Sequence, residues 1–68
     1  MNRELAKSII FETLSMTDPI ENILQLVQQI GDAKIREELL KITGKIAESN
    51  SYLIFEIEKI YPDLNPDL

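Results

Sequence analysis

"ILQLVQQIGDAKIREELLKI" is the sequence of residues 23–42, in which two segments of helical periodicity meet at Gly31. At 100° per residue, the apolar side chains of residues 20–30 fall within an arc of about 160°, with glutamines on the other side. This pattern predicts an amphipathic helix. Asp18 is predicted to cap it and Pro19 suits its first turn. Gly31 is predicted to end this helix, and Asp32 to cap the next one.

The second segment predicts a longer helix, from about residue 32 to residue 60. Apolar pairs recur in it every seven residues, as in a coiled coil: Leu39-Leu40, Ile46-Ala47, Leu53-Ile54 and Ile60-Tyr61. The sequence SNS at 49–51 leaves a bend open at that point. A β-strand over residues 52–61 is an alternative, because this segment is rich in β-branched and aromatic residues.

Residues 3–16 predict a further helix, since their apolar residues cover one broad helical arc. Pro62 is expected to stop the last helix, because proline lacks the amide hydrogen that a helix interior needs. Residues 62–68 then form a predicted extended acidic tail. The whole chain, residues 1–68, is interpreted as one helical domain.

The two halves of the chain predict an antiparallel hairpin with a kinked first arm. With the hinge at Gly31, arms of about 2–30 and 32–61 have matched lengths, and residue i lies level with residue 62 − i. This register places apolar residues opposite one another, so that Met16 meets Ile46 and Leu5 meets Ile57. Eight residues at heptad spacing are the predicted core or oligomer interface: Ile9, Met16, Ile23, Ile30, Leu39, Ile46, Leu53 and Ile60.

One polar position interrupts this register. Glu12 lies level with Asn50 and beside Ser49, which predicts either a hydrogen-bonded polar layer or a glutamate that simply faces water.

A lone hairpin of this size needs additional buried area. A 68-residue chain buries only about 60% of its unfolded surface. No cysteine is present to form a disulfide, and no histidine is present to complete an ordinary zinc site. The apolar arcs are also wider than a two-helix seam requires. We therefore expect an all-α protein whose hairpins dimerise into a four-helix bundle, with a small monomeric bundle of short helices as the alternative.

The side-chain chemistry argues against catalysis. Without histidine or cysteine, no serine has a histidine base to activate it and no thiolate is available. The two glycines are isolated, so no phosphate-binding loop is present. Adjacent acids on a helix, such as Glu37 and Glu38, do not share one face. The sequence therefore predicts neither an enzyme nor a bound cofactor or metal.

Charge and hydropathy limit the partners. A net charge of −5 disfavours nucleic acid and anionic membrane surfaces. No apolar run approaches the roughly 20 residues of a spanning helix, and no secretory or transit peptide is predicted. By elimination, the expected location is the cytoplasm.

These observations favour a small non-enzymatic helical protein that self-associates and acts as a protein-binding or regulatory module. Phe11, Tyr52 and Phe55 fall outside the main apolar stripes and are candidate contacts for a protein partner. The alternative is a nucleic-acid-associated regulator, in which a dimer doubles a small row formed by Arg3, Lys7 and Phe11.

Overall fold

The computed structural model describes residues 1–64, which form three α-helices and a short 3-10 turn. Helix α1 spans Arg3–Leu14, α2 spans Thr17–Val27 and α3 spans Ala33–Ile60, while the 3-10 turn spans Pro62–Leu64. These residues contain no strand. The all-α prediction is confirmed, and residues 52–60 are helical rather than β.

The first arm bends where α1 ends and α2 begins, at Ser15 and Met16. Pro19 explains this position, because its ring clashes with the carbonyl four residues earlier, that of Ser15, and its nitrogen has no hydrogen to donate there. The N–H of Met16 turns to the carbonyl of Thr13, at 3.1 Å. The predicted kink is confirmed, but Asp18 is not the cap: α2 begins at Thr17 and has no side-chain cap.

Helix α3 begins and ends where its sequence predicts. The Asp32 carboxylate accepts hydrogen bonds from the N–H groups of Lys34 and Ile35, at 2.9 and 3.2 Å. The helix then continues through residues 49–51 without a break. It ends at Ile60 because Pro62 disfavours helical backbone at the residue before it, and Tyr61 has a φ of −127°.

A connection of five residues, 28–32, joins α2 to α3. Arg36 fixes this connection, since its Nη1 donates to the Ile30 carbonyl at 2.8 Å. Gly31 lies in the connection as predicted, but α2 has already ended at Val27. No described glycine has a positive φ, so Gly31 does not form the left-handed cap that commonly ends a helix.

The first arm packs antiparallel on α3 along a seam with coiled-coil spacing. The buried residues that the first arm contributes to this seam are Ala6, Ile10, Thr13, Ile20 and Val27. The buried or half-buried seam positions on α3 and just after it are Arg36, Leu40, Thr43, Ala47, Asn50, Ile54, Ile57 and Tyr61, and Glu56 and Glu58 are also half-buried. The second residue of each apolar pair, such as Leu40, therefore faces the first arm, and the first residue, such as Leu39, does not.

Small side chains occupy much of this seam. Ala6 is completely buried, and Thr13 and Thr43 are 4% and 5% exposed. Each threonine hydroxyl donates to the carbonyl four residues earlier, at 2.7 Å, so its burial leaves no unpaired donor. Small residues let the two arms approach closely and leave larger side chains beside the seam.

The register differs in detail from the predicted one. Ile57 packs against Ala6 and Ile10, whereas its predicted partner Leu5 is exposed. This difference amounts to a rotation of α1 by one residue toward the seam. The small Ala6 takes the place that the sequence pattern assigned to a leucine.

The predicted extended tail is corrected for its first three residues. Pro62–Leu64 form a 3-10 turn, and Leu64 packs against the cluster of Ala6, Ile10 and Ile57. Asp63 forms an ion pair with Arg3. The hydroxyl of Tyr61 donates to the carbonyl of Met1 at 2.6 Å. These contacts hold the two ends of the hairpin together, and the remainder of the predicted tail lies outside the described residues.

Candidate functional site: an apolar face on the hairpin

One side of the hairpin exposes a row of large apolar side chains, which we name the apolar face. Its exposed members are between 38% and 62% accessible to solvent: Met16, Ile23, Ile35, Leu39, Ile42, Ile46, Leu53 and Ile60. Ile9 and Ile30 complete the row and are half-buried. The apolar face thus contains all eight residues predicted as core or oligomer interface.

Helix geometry places these residues on one side. On α3, Leu39 and Ile46 each precede a seam residue by one position, which is a rotation of 100°. On the first arm, Ile9 precedes the seam residue Ile10 in the same way. In two antiparallel helices, the positions one residue before the seam lie on the same side of the plane that contains both helix axes. Met16 of the first arm accordingly lines a single groove with Ile46 of α3.

This central groove has a volume of about 470 Å³. Its apolar lining consists of Met16, Ile42, Ile46 and Leu53, and its polar lining of Lys45, Ser49 and Asn50. Ser49 interrupts the apolar row of α3 between Ile46 and Leu53, and Met16 lies at the bend of the first arm. The groove therefore forms where both arms depart from regular apolar spacing. It contains Met16 together with its predicted partner Ile46, and also Leu53 one heptad further on.

The predicted contact between Glu12 and Asn50 does not form. Glu12 lies on an outer surface with Lys7, Ser8 and Phe11, whereas Asn50 is half-buried beside Met16 in the central groove. Of the two interpretations of Glu12, the structure favours the one in which it faces water.

The candidate partner-binding aromatics lie outside the apolar face. Phe11, Tyr52 and Phe55 are all more than 60% exposed. Phe11 lines a separate depression with Leu14 and Leu64. Tyr52 and Phe55 are one helical turn apart on α3, rotated by about 100° and 160° from Leu53 in the direction away from the seam. The structure thus places the two predicted groups of residues on different surfaces.

The ion pairs of α3 are exposed and contribute little stability. Glu38 and Lys41 are 3.9 Å apart, and Glu56 accepts a hydrogen bond from Lys59 at 2.9 Å. That hydrogen bond and the positive charge of Lys59 lower the pKa of the Glu56 carboxyl below its usual value. No group of three or more potential metal ligands occurs among residues 1–64.

The predicted basic and aromatic row is partly neutralised. Arg3 is paired with Asp63, and Lys7 lies on the same outer surface as Glu12. In the described part of the chain, no helix combines the length and the apolar character needed to cross a membrane. Among the candidate surfaces of the described residues, the apolar face has the most exposed large apolar side chains.

Comparison of the chain with models of protein families, with curated proteins and with solved structures gave no match in any of the three. The function proposed below is therefore argued from the geometry of the apolar face.

Proposed function

We propose that this protein is a non-enzymatic, self-associating module in which the apolar face packs against the same face of a second copy. Two hairpins joined in this way form a homodimeric four-helix bundle. The observation that carries the proposal is the row of exposed isoleucine, leucine and methionine side chains along one side of the hairpin. Large contiguous apolar surfaces of this kind are typical of interaction sites.

The dimensions of the hairpin support a second layer. Its extents are 46 × 21 × 16 Å. Both α1 and α2 pack on α3, so the described residues form one layer of two arms. Stable domains normally bury their apolar surfaces between two packed layers. A second hairpin supplies the missing layer.

The surface area supports the same conclusion. A compact protein of 7.8 kDa exposes about 4400 Å², whereas this hairpin exposes 5251 Å². Its radius of gyration is 15.0 Å, compared with about 11 Å for a compact chain of this length.

We further propose that the dimer acts by binding a protein partner, in a regulatory role, with the cytoplasm as its location. Packing through the apolar face leaves Phe11, Tyr52 and Phe55 exposed on the outside of the bundle. Exposed aromatic side chains are favoured contacts in protein interfaces. The nucleic-acid alternative has less support, because Asp63 neutralises the positive charge of Arg3.

Light scattering coupled to gel filtration tests the self-association. The expected mass at micromolar concentration is twice the 7.8 kDa of one chain. The variant Ile46→Glu places a charge in the central groove, where the side chain is 44% exposed in the single hairpin. It should shift the protein to one chain mass with its helical circular dichroism retained.

Phe55→Glu is the matched control, because it also replaces an exposed apolar residue of α3 but lies outside the apolar face. This control variant should remain dimeric. A wild-type protein that stays at one chain mass throughout the micromolar range refutes the proposal. Equal dissociation of the two variants would show that the apolar face is not the dimer interface.

A further inference from the structure

We propose that the central groove binds one free single-chain amphiphile with an anionic head group, such as a medium-chain fatty acid, and that this ligand opposes self-association. Binding of the ligand to a single hairpin is independent of the proposed function, whereas the opposition to self-association rests on it. In the groove, large side chains of the apolar face lie beside side chains that form hydrogen bonds. An amphiphile has the same two kinds of surface.

The apolar side chains of the groove suit a hydrocarbon chain. Met16 of the first arm forms one side, and three residues of α3 form the other: Ile42, Ile46 and Leu53. All four are between 44% and 53% exposed, so a ligand can reach them without a rearrangement of the hairpin. The groove volume of about 470 Å³ is within the range of roughly 300–1,000 Å³ that is typical of small-molecule sites.

The polar side chains of the groove lie together on α3 and include its one charged group, Lys45. Lys45 and Ser49 are four residues apart on this helix, so they are neighbours on its surface. The ion pairs among residues 1–64 do not include Lys45. The hydroxyl of Thr43 donates to a carbonyl of its own helix, whereas the hydrogen bonds of the described residues include neither the Ser49 hydroxyl nor the Asn50 amide.

These groups favour an anionic head group over a cationic or uncharged one. Within the described part of the chain, no acidic side chain lines the groove. A carboxylate beside Lys45 forms an ion pair and can accept hydrogen bonds from the Ser49 hydroxyl and the Asn50 amide. One free chain is a better occupant than an anionic bilayer, because the net charge of −5 repels such a surface.

The ligand covers residues that the proposed dimer also buries. Met16, Ile46 and Leu53 belong both to the groove and to the apolar face. A second copy and a ligand compete for them, so a ligand that binds the single hairpin shifts the equilibrium away from the dimer. The groove is also a poor contact for a second apolar face, because burying the Lys45 ammonium against apolar side chains is costly.

Methyl NMR of methionine tests the site, because the chain has two methionines and Met16 is the one that lines the groove. Sodium decanoate below its micellar concentration should shift the Met16 methyl signal saturably and leave the Met1 signal unchanged. Met1 is 58% exposed and therefore reports non-specific contact with the amphiphile. Decyltrimethylammonium has the same chain with a positive head group, and it should bind more weakly than decanoate.

The variant Lys45→Met removes the charge and keeps an apolar side chain of similar length. It should weaken decanoate binding by about twofold to fivefold, as expected for the loss of an exposed ion pair. Lys34→Met is the matched control, because Lys34 is also an exposed lysine of α3 but does not line the groove. Its affinity for decanoate should equal that of the native chain. Circular dichroism of both variants checks that the helix content is retained.

Three results would overturn the assignment of the ligand. The first is the absence of a saturable shift at Met16, and the second is an equal shift at Met1. The third is decyltrimethylammonium binding as tightly as decanoate. Co-sedimentation with phosphatidylglycerol vesicles, in a protein that does not bind decanoate, would assign the groove to a membrane surface and also overturn the proposal.

Light scattering with and without saturating decanoate tests the opposition to self-association. The expected mass falls from two chains to one on addition of decanoate. A mass of two chains at saturation overturns this part of the proposal. A mass of one chain without decanoate contradicts the proposed self-association instead, and the Met16 signal then still decides whether the groove binds the ligand. The two failures are therefore distinguishable.

Discussion

Ile57 and Ile60 are the same residue type, one helical turn apart, and the structure assigns them opposite environments. Ile57 is 5% exposed and packs on Ala6 and Ile10, whereas Ile60 is 62% exposed. Replacement by alanine removes three carbon atoms, each worth about 0.8 kcal/mol when fully buried. The loss of transfer free energy is then about 2.3 kcal/mol at Ile57 and about 0.9 kcal/mol at Ile60. The cavity left at Ile57 brings its total to about 3 kcal/mol.

The free energy of unfolding is measured by urea denaturation, followed by circular dichroism. Both alanine variants are made in the Ile46→Glu background, so that the proposed dimer does not add to the burial of Ile60. The gain in helix propensity from isoleucine to alanine is common to both variants and cancels in their difference. Ile57→Ala should be less stable than Ile60→Ala by about 2 kcal/mol. Equal losses, or a larger loss at Ile60, would refute the assignment of the seam.

Three further predictions concern local features. Gly44→Ala should stabilise the fold by up to about 1 kcal/mol, because alanine favours the helix interior more than glycine does. Gly44 has no positive φ, and an added Cβ would have no atom within 4 Å. A lower melting temperature of the variant contradicts this prediction. Asp32→Ala should lower the free energy of unfolding by about 1 kcal/mol, because it removes the cap of α3. Asp32→Asn keeps the hydrogen-bond acceptor and should lower it much less. Equal losses on urea denaturation count against the cap. By NMR titration, the Glu56 carboxyl should have a higher pKa in Lys59→Met than in the native chain, because the variant lacks the hydrogen bond and the positive charge that lower it. In the native chain this favourable contact is lost as the pH falls through the lowered pKa. An unchanged titration midpoint contradicts the contact.

The small side chains in the seam explain why so many large apolar side chains remain exposed on the apolar face. Ala6, Thr13 and Thr43 fill the contact between the arms with little volume, so that one hairpin buries few of its large side chains. The isoleucines and leucines beside the seam are left on one side. A sequence of 44% hydrophobic composition therefore folds into a hairpin that keeps an extensive apolar surface for a second layer.

Local physical chemistry predicted most elements of this fold, although it left a bend at 49–51 and a strand over 52–61 open. Apolar periodicity placed the helices, Asp32 and Pro62 marked the ends of α3, and Pro19 indicated the break in the first arm. Each of these effects acts within about four residues, through a hydrogen bond, a steric clash or one helical face. The break itself lies at Ser15 and Met16, because proline acts on the carbonyl four residues before it, and for this reason Asp18 does not cap α2.

The tertiary structure alone decided which apolar residues face the first arm. Each pair, such as Leu39 and Leu40, offers two neighbouring apolar positions 100° apart, and the heptad pattern repeats in both. Sequence periodicity cannot distinguish them, because either choice places apolar residues on apolar residues. Close packing distinguishes them, since the arms approach most closely when Ala6 and the threonines lie between them. That choice buries Leu40 and its equivalents in the seam and leaves Leu39 and its equivalents on the apolar face.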